Sequence, residues 1–201
     1  MKALLTGSSG FVGRNLLLNW ISQKQYEQII LPVRNSEKLK EQLRKENIND
    51  LSKLVIQESS APFWENLQGL QVDHLVHGAG LLFGGSEREF FDTNVEGTEN
   101  LFSRVEFNKA IVLSSQAASG PCKDGQLEKT ERDPEEPITW YGKSKLEMEN
   151  RLQEKFLSKN FLCIRPPMIL GARDTATLPL FKMVKSRVLF KPGFISNGKR
   201  Y

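Results

Sequence analysis

Short apolar runs recur along the chain, separated by longer stretches whose apolar residues fall three or four apart. The first run, Ala3, Leu4 and Leu5, reads as a buried strand. Residues 29–33 (IILPV), 53–57, 72–76, 110–113 and 161–164 repeat that pattern. Between them, residues 11–21, 36–50, 90–102 and 139–156 carry helical spacing. In the second of these the apolar face is Leu39, Leu43 and Ile48. Pro32 is foreign to a central strand and predicts that the second strand ends there. Pro166 and Pro167 stop the sixth. A loop rich in glycine, proline and charge is predicted over 120–137. After 170, helical character around 178–185 gives way to no clear period. Strand and helix alternate from the first residues on. That predicts an α/β fold, a doubly wound parallel sheet with helices on both faces.

In such a sheet, right-handed crossovers bring the carboxyl ends of the strands to one edge, where ligands bind. The residues there are specific. The first strand runs into a turn with Gly7, Gly10 and Gly13 that opens a helix. This suits a pyrophosphate: glycines admit the backbone closely, and free amides at the helix start favour negative charge. The spacing is Gly-x-x-Gly-x-x-Gly, not the commoner Gly-x-Gly-x-x-Gly. Arg34 follows the second strand, where an arginine accommodates a ribose 2′-phosphate and an acid would bind the ribose hydroxyls. Arg34 tilts the cofactor toward NADP, although a solvated surface arginine would occupy the position equally well. Ala79 and Gly80 follow the fourth strand, and small residues there let a flat ligand lie on the backbone.

Composition narrows the class. At 201 residues, 39% hydrophobic and 26% charged, the chain suits one well-buried soluble domain. No apolar run approaches membrane-spanning length, and the N-terminus enters a strand without a signal-peptide pattern. Cys122 and Cys163 are the only cysteines, so a reducing compartment, the cytoplasm, is expected. The net charge of +4 is mild, and no basic stripe with interleaved aromatics points to nucleic acid. His74 and His77 lie in an apolar strand without other ligands at metal spacing, so structural packing is expected and no metal.

Tyr141 and Lys145 stand four apart in the predicted helix 139–156, side by side on one face. A phenol with a pKa of about 10 is a poor base near neutrality, but a neighbouring ammonium favours the phenolate and is expected to lower it. Such a hydroxyl can give or take a proton at a carbonyl or alcohol oxygen. Ser115, at the end of the fifth strand, is the candidate to hold that oxygen, with Ser114 as the alternate.

With these motifs in view the chain resembles the extended branch of the short-chain dehydrogenase/reductase superfamily, the NAD-dependent epimerase/dehydratase group. The likeness runs from Lys2 to at least Arg173. It is carried by Thr6-Gly7-Ser8-Ser9-Gly10-Phe11-Val12-Gly13, Asn94-Val95-Glu96-Gly97-Thr98, Ser114-Ser115 and Tyr141-Gly142-Lys143-Ser144-Lys145. Arg165-Pro166-Pro167-Met168-Ile169-Leu170-Gly171 is similar to the family's Arg-Pro turn near the nicotinamide. The resemblance implies a Rossmann domain over 1–170. It implies Tyr141 as acid/base, Lys145 binding the nicotinamide ribose and Ser115 polarising the substrate. Gly7, Ser9, Gly10, Phe11, Val12, Gly13, Arg34, Glu58, Ala79, Gly80, Asn94, Ser114, Tyr141, Lys145, Pro166 and Met168 would hold NADP or NAD.

Departures refine the expectation. Glu58 stands where the family usually has an aspartate near the adenine. Gln116 and Ala117 replace the acid pair of nucleotide-sugar dehydratases, which argues against dehydration. Family members continue for roughly a further hundred residues, against a usual single-domain size. Residues 171–201 are therefore expected to begin an incomplete substrate domain, with activity in doubt. The leading expectation is an NADP-preferring oxidoreductase acting on a carbonyl or secondary alcohol of a small molecule. A nucleotide-sugar epimerase with tightly held NAD and a non-catalytic NAD(P)-binding regulator remain open. So does a homodimer paired through helices.

Overall fold

Successive side chains of a strand point to opposite faces, so a run apolar at every position needs cover on both sides. Ala3 and Leu5 are buried on one face of the first strand and Leu4 on the other. In the computed structural model, which describes residues 1–123 and 125–187, six strands form one sheet. They are β1 (Lys2–Thr6), β2 (Gln28–Val33), β3 (Leu54–Glu58), β4 (Leu70–His77), β5 (Val105–Leu113) and β6 (Phe161–Ile164). The order is β3-β2-β1-β4-β5-β6 and every neighbouring pair is parallel. The helices are α1 (Phe11–Gln23), α2 (Ser36–Lys45), α3 (Glu87–Phe91), α4 (Gly97–Arg104), α5 (Trp140–Lys155) and α6 (Leu178–Lys185).

Each face has its own core. Leu17 and Trp20 of α1 and Leu39 and Leu43 of α2 pack on Ala3, Leu5, Ile29, Leu31 and Val33. On the other face, Leu101 and Phe102 of α4 and Met148 and Leu152 of α5 cover Leu4, Leu75, Ala110 and Val112. The expected doubly wound arrangement is the observed one. The sheet reverses its order between β1 and β4, and a crevice opens outside their carboxyl ends.

Several boundaries differ from the sequence expectation, each for a local reason. β2 continues through Pro32 to Val33, because its pairing with β1 ends at Leu4–Ile30 and only β3 still runs alongside. β5 begins at Val105, five residues before the predicted start. Its first half alternates a buried Val105 and half-buried Phe107 with exposed Glu106 and Asn108. The helix predicted over 90–102 begins earlier, at a capping box formed by Ser86 and Glu89, and widens into a π turn at Asp92–Glu96. α2 ends at Lys45, before the left-handed Asn47.

The chain divides into two compact units, residues 1–168 and residues from 169 on. In the second, the Asp174 carboxylate accepts from the Ala176 amide at 2.9 Å and from the Thr177 hydroxyl, just ahead of α6. Among the described residues no helix is long and apolar enough to cross a membrane.

Candidate active site

The glycine turn is shaped by contacts that no side chain would survive. Gly7 has φ +75°, and a Cβ there would lie 2.6 Å from the carbonyl carbon of Gly78. A Cβ on Gly13 would lie 2.2 Å from the Gly7 oxygen. The turn is thus pressed onto the end of β4 on one side and onto α1 on the other. Gly10 caps α1 without a side-chain hydrogen bond, so the first-turn amides, including those of Phe11 and Val12, have no side chain capping them.

A cleft of about 290 Å³ opens over this turn. Of the expected cofactor residues, Gly7, Ser9, Gly10, Arg34, Ala79 and Gly80 line it. Ser59, Ser60, Ala61 and Trp64 form a wall that the sequence reading missed, with Thr93 nearby. The signal for the serines was present: they follow directly on β3, at the same edge. The reading stopped one residue short, at Glu58. The Glu58 carboxylate instead accepts from the Ser36 amide (3.1 Å) and hydroxyl (3.0 Å) at the start of α2. The Ser36 bonds hold it below the usual carboxylate range, and it is not part of the cleft lining. Trp64 is buried and donates its indole N–H to the Gly97 carbonyl at 2.6 Å.

The residues fit a dinucleotide. The cradle is one that a Cβ would fill, an arginine stands at the rim, and the buried Ser59 hydroxyl in the wall has no protein partner. Gly13 lies behind the turn as packing.

Beside the cleft lies a second, more polar region. Gly80 joins the two: a Cβ on it would stand 2.9 Å from the Asn94 Oδ1 and 3.4 Å from the Lys145 Nζ. Asn94 is buried on the π turn, and its amide donates to the Leu81 carbonyl and the Ser144 hydroxyl, both at 3.0 Å. Its oxygen accepts from the Leu81 amide at 2.7 Å. Asn94 thus pins the segment after β4 to α5 beside Lys145. Lys145 is buried and donates to the Leu113 carbonyl at 2.8 Å. Burial pushes its ammonium down to about 8, against opposing contributions from Cys163 and Glu149.

α5 starts at Thr139, whose hydroxyl accepts from the Gly142 amide at 3.0 Å. That start brings Tyr141 to the end of β5, with its hydroxyl facing that of Ser115. Ser115 also accepts from the Ala117 amide at 3.1 Å. Ser114 is used otherwise, donating its hydroxyl to the buried Glu149 carboxylate. Of the two serines, Ser115 is the one that meets Tyr141. The expected sign of the tyrosine shift is reversed. Burial raises the Tyr141 phenol above its ordinary value, the facing Ser115 hydroxyl offsets this only in part, and Lys145 is spent on Leu113.

Pro166 accepts from the Gln116 amide at 3.1 Å and Met168 is exposed; neither lines the cleft. His77, expected only to pack, is fully buried between two hydroxyls. Thr6 Oγ1 accepts from the Ala79 amide and lies 2.7 Å from His77 Nδ1, to which it donates when the imidazole is neutral and carries its proton on Nε2. Thr98 Oγ1 donates to the Asn94 carbonyl and therefore accepts from His77 Nε2–H at 2.9 Å. That fits a neutral imidazole, and burial pushes its pKa down to about 3.

Comparison with known proteins agrees with this geometry. The model of the NAD dependent epimerase/dehydratase family matches residues 3–188. The GDP-6-deoxy-D-talose 4-dehydrogenase of Aggregatibacter actinomycetemcomitans is 27% identical over 194 residues, 94% of this chain and 60% of that protein. The UDP-glucuronic acid 4-epimerase of Bacillus cereus, solved with NAD, superposes with a TM-score of 0.72 at 20% identity, covering 94% of this chain and 63% of that one. Gre2 of Candida albicans, solved with NADPH, gives 0.66 at 20% identity over 85% of this chain and 59% of that one. The chain spans less than two thirds of the length of each.

Proposed function

The chain belongs to the NAD-dependent epimerase/dehydratase family, and from that premise we propose that it carries the nicotinamide site and proton-transfer group of an oxidoreductase. Its substrate would be a carbonyl or secondary alcohol of a small molecule. One observation carries the reading. The end of β5 and the start of α5 bring the Ser115 hydroxyl and the Tyr141 phenol together, one helical turn from the buried Lys145 and beside a glycine-built cleft.

The bound cofactor supplies or accepts the hydride. Tyr141 gives the proton to a carbonyl oxygen, or takes it from an alcohol, while Ser115 holds the same oxygen by a hydrogen bond. The Lys145 ammonium would hold the nicotinamide ribose. Burial keeps the Tyr141 phenol protonated near neutrality, the form that can donate to a carbonyl oxygen. Arg34 at the cleft rim supports NADP over NAD by pairing with a 2′-phosphate. Residues 171–201 belong, in this reading, to the start of a substrate domain. The likeness to an NAD-bound epimerase supports a second reading, in which the same groups serve an epimerisation with retained NAD.

The test is Tyr141→Phe in the full-length protein, assayed for NADPH-dependent reduction of small ketones and nucleotide-linked keto sugars. Turnover falls by about 10²–10⁴ with loss of the acid, while NADPH affinity changes less than about twofold, as expected for a residue outside the binding cradle. Unchanged turnover overturns the assignment.

A further inference from the structure

Glu149 lies one turn beyond Lys145 on α5, and the two dock on Leu113, the last residue of β5, and on Ser114 directly after it. Lys145 donates to the Leu113 carbonyl at 2.8 Å, and the next residue, Ser114, donates its hydroxyl to Glu149. The carboxylate is buried and held by the Arg165 guanidinium at 2.7, 3.0 and 3.1 Å. The same guanidinium reaches Ser119 Oγ at 3.2 Å and Glu135 Oε1 at 3.2 and 3.3 Å. One side chain from the end of β6 therefore ties α5 to both ends of the loop between Ser115 and Tyr141. We propose that Glu149, clamped by Arg165 and Ser114, is a positioning residue that sets the register of α5 against β5 and so places Lys145 and Tyr141 at Ser115.

The clamp has an electrostatic consequence. Around Lys145 stand His77 from β4, Cys163 from β6, and Tyr141 and Glu149 from α5. His77 is neutral, burial pushes the Cys163 thiol up to about 12, and the phenol is raised as well. Cys163 would support the ammonium only as thiolate, so near neutrality Glu149, itself paired with the Arg165 cation, is the anion among these groups that supports the Lys145 charge. Breaking a buried ion pair from one side leaves an uncompensated charge, whereas replacing both partners does not. A double variant therefore separates charge from folding.

This inference rests on the reading of Lys145 as the ribose-binding group. Its test is fluorescence titration with NADPH, and in parallel with NADH, between pH 6.5 and 9.5. The proteins are wild type, Glu149→Gln, Glu149→Gln with Arg165→Gln, and Lys145→Arg. Wild-type affinity falls with a midpoint near 8 as the ammonium is lost. Glu149→Gln moves the midpoint down by about one unit, so affinity at pH 7.5 drops about threefold, while the double variant, which also removes the Arg165 cation, moves it less. Lys145→Arg abolishes the midpoint. If it does so while Glu149→Gln keeps the wild-type midpoint, Glu149 has no such role and the Lys145 reading stands. If Lys145→Arg keeps the midpoint, the Lys145 reading falls and the Glu149 inference falls with it.

Discussion

The two halves of the site are built from different materials. Around β1, β2 and β4 the cleft is made chiefly of backbone and small side chains, with Arg34 at its rim. Around β5, α5 and β6 the work is done by buried side chains: Lys145, Glu149, Ser114 and the half-buried pair Ser115 and Tyr141. The first half recognises by shape and by amide groups. It should tolerate pH and resist any added carbon. The second holds charges in a low-dielectric place, where each depends on its partner. It should tolerate small changes of volume and respond to charge and pH.

The largest expected effect breaks the first half. In Gly13→Ala, the new carbon meets a backbone oxygen at 2.2 Å and neither side can swing away. The variant loses about 3 kcal/mol of stability, the upper part of the range for overpacking. It also loses measurable NADPH binding, since the turn must shift; denaturant melts and fluorescence titration check both. A smaller effect probes His77, at the seam of the two halves. The folded imidazole has a pKa of about 3 against an ordinary 6.5, so between these values the unfolded chain binds the extra proton. Stability is present above 6.5 and is lost as pH falls. On going from pH 7.5 to 5 the loss is about 2 kcal/mol from this group. His77→Gln is less stable at pH 7.5 but loses less on acidification, as urea melts at the two pH values will show. Equal losses in both proteins would remove His77 as the cause.

The two halves were also unequally legible in the sequence. Shape came through, because apolar runs and glycine spacing are local signals. The alternation of Ala3, Leu4 and Leu5 between faces, the turn at Gly7 and the ordering of strand ends follow from neighbours in the chain. Where polar residues occupy exposed strand positions, as at Glu106 and Asn108, the strand signal faded and the start of β5 was misplaced. The π turn that presents Asn94 has no sequence signature in residue period. Side-chain partnering was the least legible. Tyr141 and Lys145 stand four apart, which suggested that the ammonium would lower the phenol. In the fold the ammonium turns to the Leu113 carbonyl and burial wins. Nothing in the helical pattern of α5 sets Glu149 apart from its other acids. Only the approach of Arg165, sixteen residues on, makes it part of the site.

The central claim is that these halves form one site around a single nicotinamide cofactor. The most direct measurement is a crystal structure of the protein with NADPH bound. The account predicts the pyrophosphate on the amides of the Gly7–Gly13 turn, the 2′-phosphate against Arg34, and the nicotinamide ribose within hydrogen-bond reach of Lys145, with the ring beside Tyr141. A cofactor seated on the glycine turn with its nicotinamide directed away from Tyr141 and Ser115 would contradict it.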